Sequence, residues 1–246
     1  MLAALVDTDV VGVLGGMGPL ASLDFMHKML AATPAVRDQE HVPVVLSSIP
    51  QVPDRTEAFR GEGDSPLAAM LASGRRLRDA GAGLIVMPCN TAHLWFDELQ
   101  AGLGLPMLHL VDAALEDAVA SAGAGARIGL LATDATLASG LYLNRPASQQ
   151  VQWLLPTACE MLDWVMPGIQ AVKAGHLNEA SELLLRAAAA LQRRGAAALV
   201  LGCTEIPLVL TTGNAPVPVV DATAALARRA VSWSLSQRPS LHETPQ

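Results

Sequence analysis

The chain lacks several features that would place it in a common functional class. No apolar run approaches the roughly 18 uninterrupted residues of a membrane span. Apolar residues make up 51% of the 246, but Gly, Pro or charge breaks them into short runs. The opening MLAALVDTDV has no basic region and carries Asp7 and Asp9 where a secretory signal is apolar. These two absences predict a cytoplasmic protein without a membrane partner. A net charge of −7 with no basic stripe leaves nothing to displace phosphate counterions, so nucleic acid is not an expected partner. Three cysteines in a chain of this length do not describe a disulfide framework, and without a C-x-x-C pair they do not predict a redox dithiol. The six histidines show no zinc-ligand spacing, so no metal site is expected. Lysine occurs only at Lys28 and Lys173, which argues against pyridoxal-phosphate chemistry.

Short apolar runs instead alternate with Ala/Leu-rich stretches along the whole chain. VVGVLGG (10–16), PVVLSSI (43–49), GLIVMPC (83–89) and PMLHLV (106–111) read as strands. Helices are predicted at 19–32, opened by Pro19, and near 65–80, 91–101 and 112–122. RIGLLAT, VQWLLP, ALVLGC and PVPVVDA continue the strands, with a short helix, two helices between 159 and 194, and a final helix. This alternation predicts an α/β protein with parallel sheets covered on both faces. The polar stretch 236–246 is expected to be a disordered tail.

The alternation contains a repeat. GVLGGMGPLAS (12–22) lies over GLLATDATLAS (129–139), and GAGLIVMPC (81–89) lies over GAAALVLGC (195–203), in the same order and at nearly equal offsets. Cys89 therefore falls on Cys203. Two similar α/β lobes related by a pseudo-twofold follow, covering 1–112 and 113–221, with the helix at about 222–235 packing back onto the first. Each lobe then presents a cysteine at the C-terminal end of a strand, the edge where open parallel sheets bind ligands. Cysteine is among the most buried residue types and often only packs. Here Asn90, Thr91 and Thr204 beside the two sulfurs are helix-capping types, and a helix N-terminus lowers a thiol pKa. Two thiols flanking one carbon can take a proton from one face and return it on the other.

GMGPLA (16–21) formally fits a dinucleotide loop, but the second strand lacks the acidic residue that should follow, and a turn that cradles a small carboxylate is the better reading. In PQVPDRT (50–56) two prolines hold the backbone extended around Gln51, and Arg55 carries a fork suited to a carboxylate. Lys173 reads alone as a helix C-terminal cation, and Cys159 as structural.

In order along the chain, GVLGGMGPLAS, TPAVRDQEHVPV, PQVPDRT, MPCNTAH, LLATDATLASGLY, VKAG and LGCTEIPL resemble the aspartate/glutamate racemases from Val11 to about Ala230. The resemblance implies a cofactor-independent amino-acid racemase acting on aspartate or glutamate, with its site between two lobes, in a homodimer. It implies Cys89 and Cys203 as the catalytic pair and Met17 and Gly18 as the substrate-carboxylate loop. Asn90, Thr91 and Thr204 would hold the α-amino and α-carboxylate groups, with Gln51 and Thr133 lining the same cleft. Arg55 and Lys173 would be the cationic pair for a second carboxylate. Glu205 stands where cell-wall glutamate racemases carry histidine, which is closer to the aspartate branch. The segment 157–172 is more apolar than the family pattern. Hydantoin racemisation, maleate isomerisation, broad-specificity amino-acid racemisation and non-catalytic two-lobed ligand binding are the alternatives.

Overall fold

The structure, a computed structural model, describes residues 9–238. Among the described residues, eight strands form two four-stranded sheets. The first contains β1 (Val11–Gly15), β2 (Val44–Ser48), β3 (Leu84–Val86) and β4 (Met107–Leu108), in the order β2-β1-β3-β4. The second contains β5 (Arg127–Ala132), β6 (Gln152–Leu154), β7 (Ala198–Gly202) and β8 (Val219–Asp221), in the order β6-β5-β7-β8. Every pairing is parallel. The two orders are the same once β5 is laid on β1, so the sequence repeat is a repeat of topology, and the expected two-lobed α/β fold is present.

Among the described residues, ten helices surround the sheets. They are α1 (Pro19–Ala32), α2 (Arg55–Arg60), α3 (Leu67–Asp79), α4 (Phe96–Leu103) and α5 (Leu110–Ala122), then α6 (Asp134–Ala138) and α7 (Ala158–Glu160). A π turn, Met161–Val165, joins α7 to α8 (Met166–Lys173), and α9 (Leu177–Arg193) and α10 (Ala222–Gln237) follow.

Side chains alternate across each central strand, as the pleat requires. Val11, Val13 and Val86 meet Ile128, Leu130, Ala132 and Val200 in one central core, which also takes in the buried residues of α5 and α10. Leu14, Ile85 and Met87 point to an outer core in the first lobe, and Leu131, Leu199 and Leu201 to one in the second. Cys89 belongs to the first outer core and Cys203 to the second. α10 packs on α1 and α5. Its seating against the first lobe is fixed by Lys28, which contacts Asp24 at 2.5 Å, Asp221 at 2.6 Å and the Thr223 hydroxyl at 2.7 Å.

The structure departs from the sequence reading in four places. Only Met107–Leu108 of PMLHLV is strand; helix α5 starts at Leu110, whose N–H donates to His93 Nε2 at 3.1 Å, a tertiary bond that no local pattern announces. The division expected at 112/113 thus falls within the first turn of α5. The helix expected at 91–101 begins as a 3-10 turn, Thr91–Trp95, before α4. PQVPDRT is not extended around Gln51: Pro50 and Gln51 form a turn closed by the Val52 amide on the Ile49 carbonyl at 3.4 Å, and Asp54 then caps α2 by accepting from the Thr56 and Glu57 amides at 2.7 and 3.1 Å. Asp54 followed three residues later by Glu57 is a helix-start signature. Finally, residues 236 and 237 of the expected tail are still helical, and 239–246 lie outside the described residues.

The shared glycine of the repeat, Gly12 in β1, has a physical reason. A Cβ there would sit 2.8 Å from both Ala82 Cβ and Ile85 Cδ1 and 3.2 Å from Leu77 Cβ. α3 can lie close to the sheet only because this position is bare. Gly12→Ala is therefore expected to lower stability by about 1–3 kcal/mol. That would be read as a fall in the urea midpoint at unchanged slope; an unchanged midpoint would show that this contact does not limit packing.

Candidate active site

Both cysteines line one small cavity between the lobes, with a volume of about 20 Å³. That is room for about one water, so an amino acid enters only if the walls move. β3 runs through Met87 and Pro88 to Cys89, and β7 ends at Gly202 immediately before Cys203, so the same topological position in each lobe supplies one sulfur. The first lobe adds Met17, Asp54, Arg55, Thr56, Asn90 and Thr91, and the second adds Thr133, Lys173, Thr204 and Glu205. Asp54, Arg55, Lys173 and Glu205 also line an outer cavity of about 460 Å³, together with Gly18 and the apolar side chains of Pro19, Leu20, Val52 and Val172.

Polar contacts cross the cleft at several points. The Thr91 hydroxyl lies 3.1 Å from that of Thr133 and 3.0 Å from that of Thr136. Tyr142 donates to Asn90 Oδ1 at 2.5 Å. Asn90 Nδ2, on a side chain that is 2% exposed, has no partner. A buried donor left unmet costs about 1–3 kcal/mol, so a ligand acceptor reaching it would recover that energy. Two ion pairs tie α2 to the second lobe, Asp54 with Lys173 at 3.8 Å and Arg60 with Asp134. Arg55 Nη1 donates to the Val52 and Pro53 carbonyls at 3.1 and 3.0 Å, which fixes the guanidinium at the head of α2.

Glu205 joins both lobes in the cavity through three hydrogen bonds. Cys203 Sγ donates to its Oε2 at 3.1 Å and the Thr204 hydroxyl donates to the same oxygen at 3.2 Å. The Gly18 amide donates to Oε1 at 3.3 Å. The turn expected to cradle a carboxylate therefore already holds one, the protein's own. Gly16 makes that turn possible, with φ of +89° and its Cα so close to Ile49 that a Cβ would be 2.4 Å from the Ile49 nitrogen.

The electrostatics reverse one expectation. Neither cysteine opens a long helix; single 3-10 turns, Thr91–Trp95 and Ile206–Leu208, follow them. The Asn90 side chain makes no cap hydrogen bond, and the Thr91 and Thr204 hydroxyls bond to other side chains in the cleft. Burial pushes the Cys89 thiol pKa up, partly offset by Arg55, while Glu205 acts in the same sense as burial. Cys203 is pushed up further, first by burial and then by the Glu205 carboxylate. Both sulfurs are therefore held as thiols, because desolvation outweighs the turn amides of Ala92 and Glu205 that favour thiolate. Burial also opposes ionisation of Asp54, but the Glu57 amide and the Lys173 ammonium outweigh it and hold Asp54 below the usual carboxylate range.

A family model described as Asp/Glu/Hydantoin racemase matches residues 14–230. The chain belongs to this family. Its fold superposes on the Picrophilus torridus aspartate racemase with a TM-score of 0.83 and 32% identity, over 92% of this chain and 94% of that one. The broad specificity amino-acid racemase RacX of Bacillus subtilis (strain 168) is 25% identical over 240 residues, 92% of this chain and 99% of RacX. A glutamate racemase of Pseudomonas aeruginosa (strain UCBPP-PA14) is 30% identical over 240 residues, 91% of this chain and 81% of that protein.

Against the positions that the racemase resemblance named, the structure brings Cys89, Cys203, Met17, Arg55, Asn90, Thr91, Thr133, Lys173 and Thr204 to one cavity. Gly18 faces the outer cavity. Gln51 is not brought to the cysteines: it is exposed, and its neighbours Pro50 and Val52 line the outer cavity instead. Sequence reasoning did not place Glu205, Asp54 or Tyr142 in the site. Asp54 carried a signal in its cap spacing to Glu57; Tyr142, reaching Asn90 across 52 positions, carried none. Among the described residues no group of three or more His, Cys, Asp or Glu is placed to hold a metal, and no helix is long and apolar enough to cross a membrane.

His93 serves as a strut for Cys89. Its Nδ1 lies 2.8 Å from the Cys89 carbonyl and its Nε2 accepts from the Leu110 amide, a pairing that requires the neutral ring with the proton on Nδ1.

Two outcomes follow. Cys159 is exposed and the other two thiols are buried, so a thiol reagent at neutral pH should show one fast phase, removed by Cys159→Ser, and two slow ones. A second fast thiol would contradict the raised pKa values. Burial pushes His93 down to about 4 from 6.5, and pushes His109, which touches it, down to about 2. Between pH 6.5 and 4 the unfolded chain then binds more protons than the folded one, so stability falls as the pH drops through that window. The urea midpoint should follow, and His93→Gln should flatten the slope; parallel slopes would show that His93 is not held neutral.

Proposed function

We propose that this chain is a cofactor-independent amino-acid racemase, with Cys89 and Cys203 as acid and base on opposite faces of the substrate Cα. One observation carries the reading: equivalent positions of two similar lobes deliver two thiols to one small cavity. One-sided ligand binding needs no such pair, whereas inversion by proton transfer does. One sulfur must be thiolate when the reaction starts. Lys173 favours that state at both cysteines and Arg55 at Cys89.

In this reading the free Asn90 Nδ2 and the Thr91 and Thr204 hydroxyls hold the α-carboxylate and α-ammonium groups, beside Met17, Gly18 and Thr133. Arg55 and Lys173 face the distal carboxylate of aspartate or glutamate, for which a charge-assisted partner is required. The preference for a dicarboxylate has a rival in broad specificity, favoured by one observation. Both cations are already partly engaged, Lys173 by Asp54 and Arg55 by two carbonyls. A homodimer and a cytoplasmic location complete the proposal, and both rest on the family alone.

Chiral chromatography of single enantiomers incubated with the protein provides the test. The parent should racemise aspartate or glutamate. Cys89→Ala and Cys203→Ala should each lose at least about 100-fold in rate, and Cys159→Ala should retain the parental rate. Parental activity in either of the first two variants would end the two-cysteine assignment.

A further inference from the structure

We propose that Glu205 is the proton acceptor of Cys203, so that the resting negative charge of the site lies on a carboxylate and passes to sulfur only when the reaction begins. The proposal rests on the racemase reading and extends it to a third acid–base group. The carboxylate is 5% exposed, and Sγ of Cys203 donates to it directly at 3.1 Å. The Thr204 hydroxyl and the Gly18 amide hold both oxygens in place. The charged and titratable groups acting on the two sulfurs from other elements are Arg55 on α2 and Lys173 at the end of α8, with the Tyr142 hydroxyl near Cys203. Asp54 pairs with Lys173.

The need for such a group is physical. Two desolvated thiols do not ionise unaided at neutral pH, yet one must act as base. In the proposed sequence the S–H bond of Cys203 breaks as an O–H bond forms on Glu205 Oε2. The Cys203 thiolate removes the Cα proton, and the carbanion takes the Cys89 thiol proton on the other face. The site is left with a neutral Glu205, a Cys203 thiol and a Cys89 thiolate. This form carries as many protons as the starting one and differs only in that one proton has moved from Cys89 to Glu205. It is the form competent for the opposite enantiomer. Glu205 and Cys89 both line the inner cavity, which has room for about one water, so a water there can return the proton to Cys89 after product leaves.

Glu205→Gln keeps the side chain's size and removes both the acceptor and the negative charge. A bystander carboxylate that only keeps Cys203 protonated would, on removal, leave the enzyme as active or more so. A proton acceptor gives the opposite result. We expect kcat to fall at least about 100-fold for both enantiomers. Meanwhile alkylation of Cys203 by iodoacetamide, followed in a Cys89→Ser, Cys159→Ser background, should shift to lower pH because a repelling charge is gone. The two readouts move in opposite senses, which a folding defect does not produce. A kcat at or above the parental value, or an alkylation profile that stays in place, would overturn the proposal. If Glu205→Gln does not fold, Glu205→Asp, which withdraws the carboxylate by one methylene, carries the same test on kcat. A parent that racemises while the Gln or Asp variant matches it overturns only the role of Glu205. A parent that racemises nothing overturns the racemase reading, and this proposal with it.

Discussion

Desolvation of the two thiols is the constraint on which the rest of the site depends. A cavity with room for about one water raises the cost of every charge placed in it. The walls respond with a balanced set, Arg55 and Lys173 against Asp54 and Glu205, each anchored by a different device. Arg55 is held by two carbonyls, Asp54 by the amides it caps, Lys173 by Asp54 across the cleft, and Glu205 by Cys203, Thr204 and the Gly18 amide. An unbalanced charge in such a space is strongly destabilising, whereas a paired one is tolerable. The same dryness strengthens whatever electrostatic help a bound substrate receives.

Two matching lobes bring the sulfurs together, but the match is one of backbone and not of chemistry. The sheets share one strand order, and the cysteines leave equivalent strands. Beside Cys89 stands an amide with an unmet donor; beside Cys203 stand a hydroxyl and a carboxylate. On the proposed racemase reading, a chiral carbon placed between them meets two different environments. One supplies a free donor and the other a buried anion, so under the proposed mechanism the two directions of proton transfer need not share a rate-limiting step even though substrate and product are mirror images.

Much of this was legible in the sequence because it depends on local or repeated signals. The repeat announced two lobes, the β-rich runs announced parallel strands, and Pro19 set the start of α1 to the residue. Where tertiary contact decides, the pattern was silent. PMLHLV has the composition of a strand, but the bond from the Leu110 amide to His93 starts a helix there. The cysteines sit next to capping residue types, yet those side chains turn into the cleft, and burial reverses the predicted direction of both thiol pKa values. Glu205 was noticed only as a substitution. Its place in the cavity depends on a turn near residue 18 approaching a turn near residue 205, a distance of 187 positions along the chain.

The most direct test of the central claim, that two groups on opposite faces share the work, is the isotope content of the first product formed in heavy water. Cysteine thiols exchange with solvent, so a two-base site returns deuterium to Cα while the proton removed stays on the other sulfur. Starting from one enantiomer, the account predicts that the earliest product is fully deuterated at Cα while the remaining substrate is still protiated. Early product that carries the substrate's own proton would mean that a single group removes and returns it, and would contradict the account.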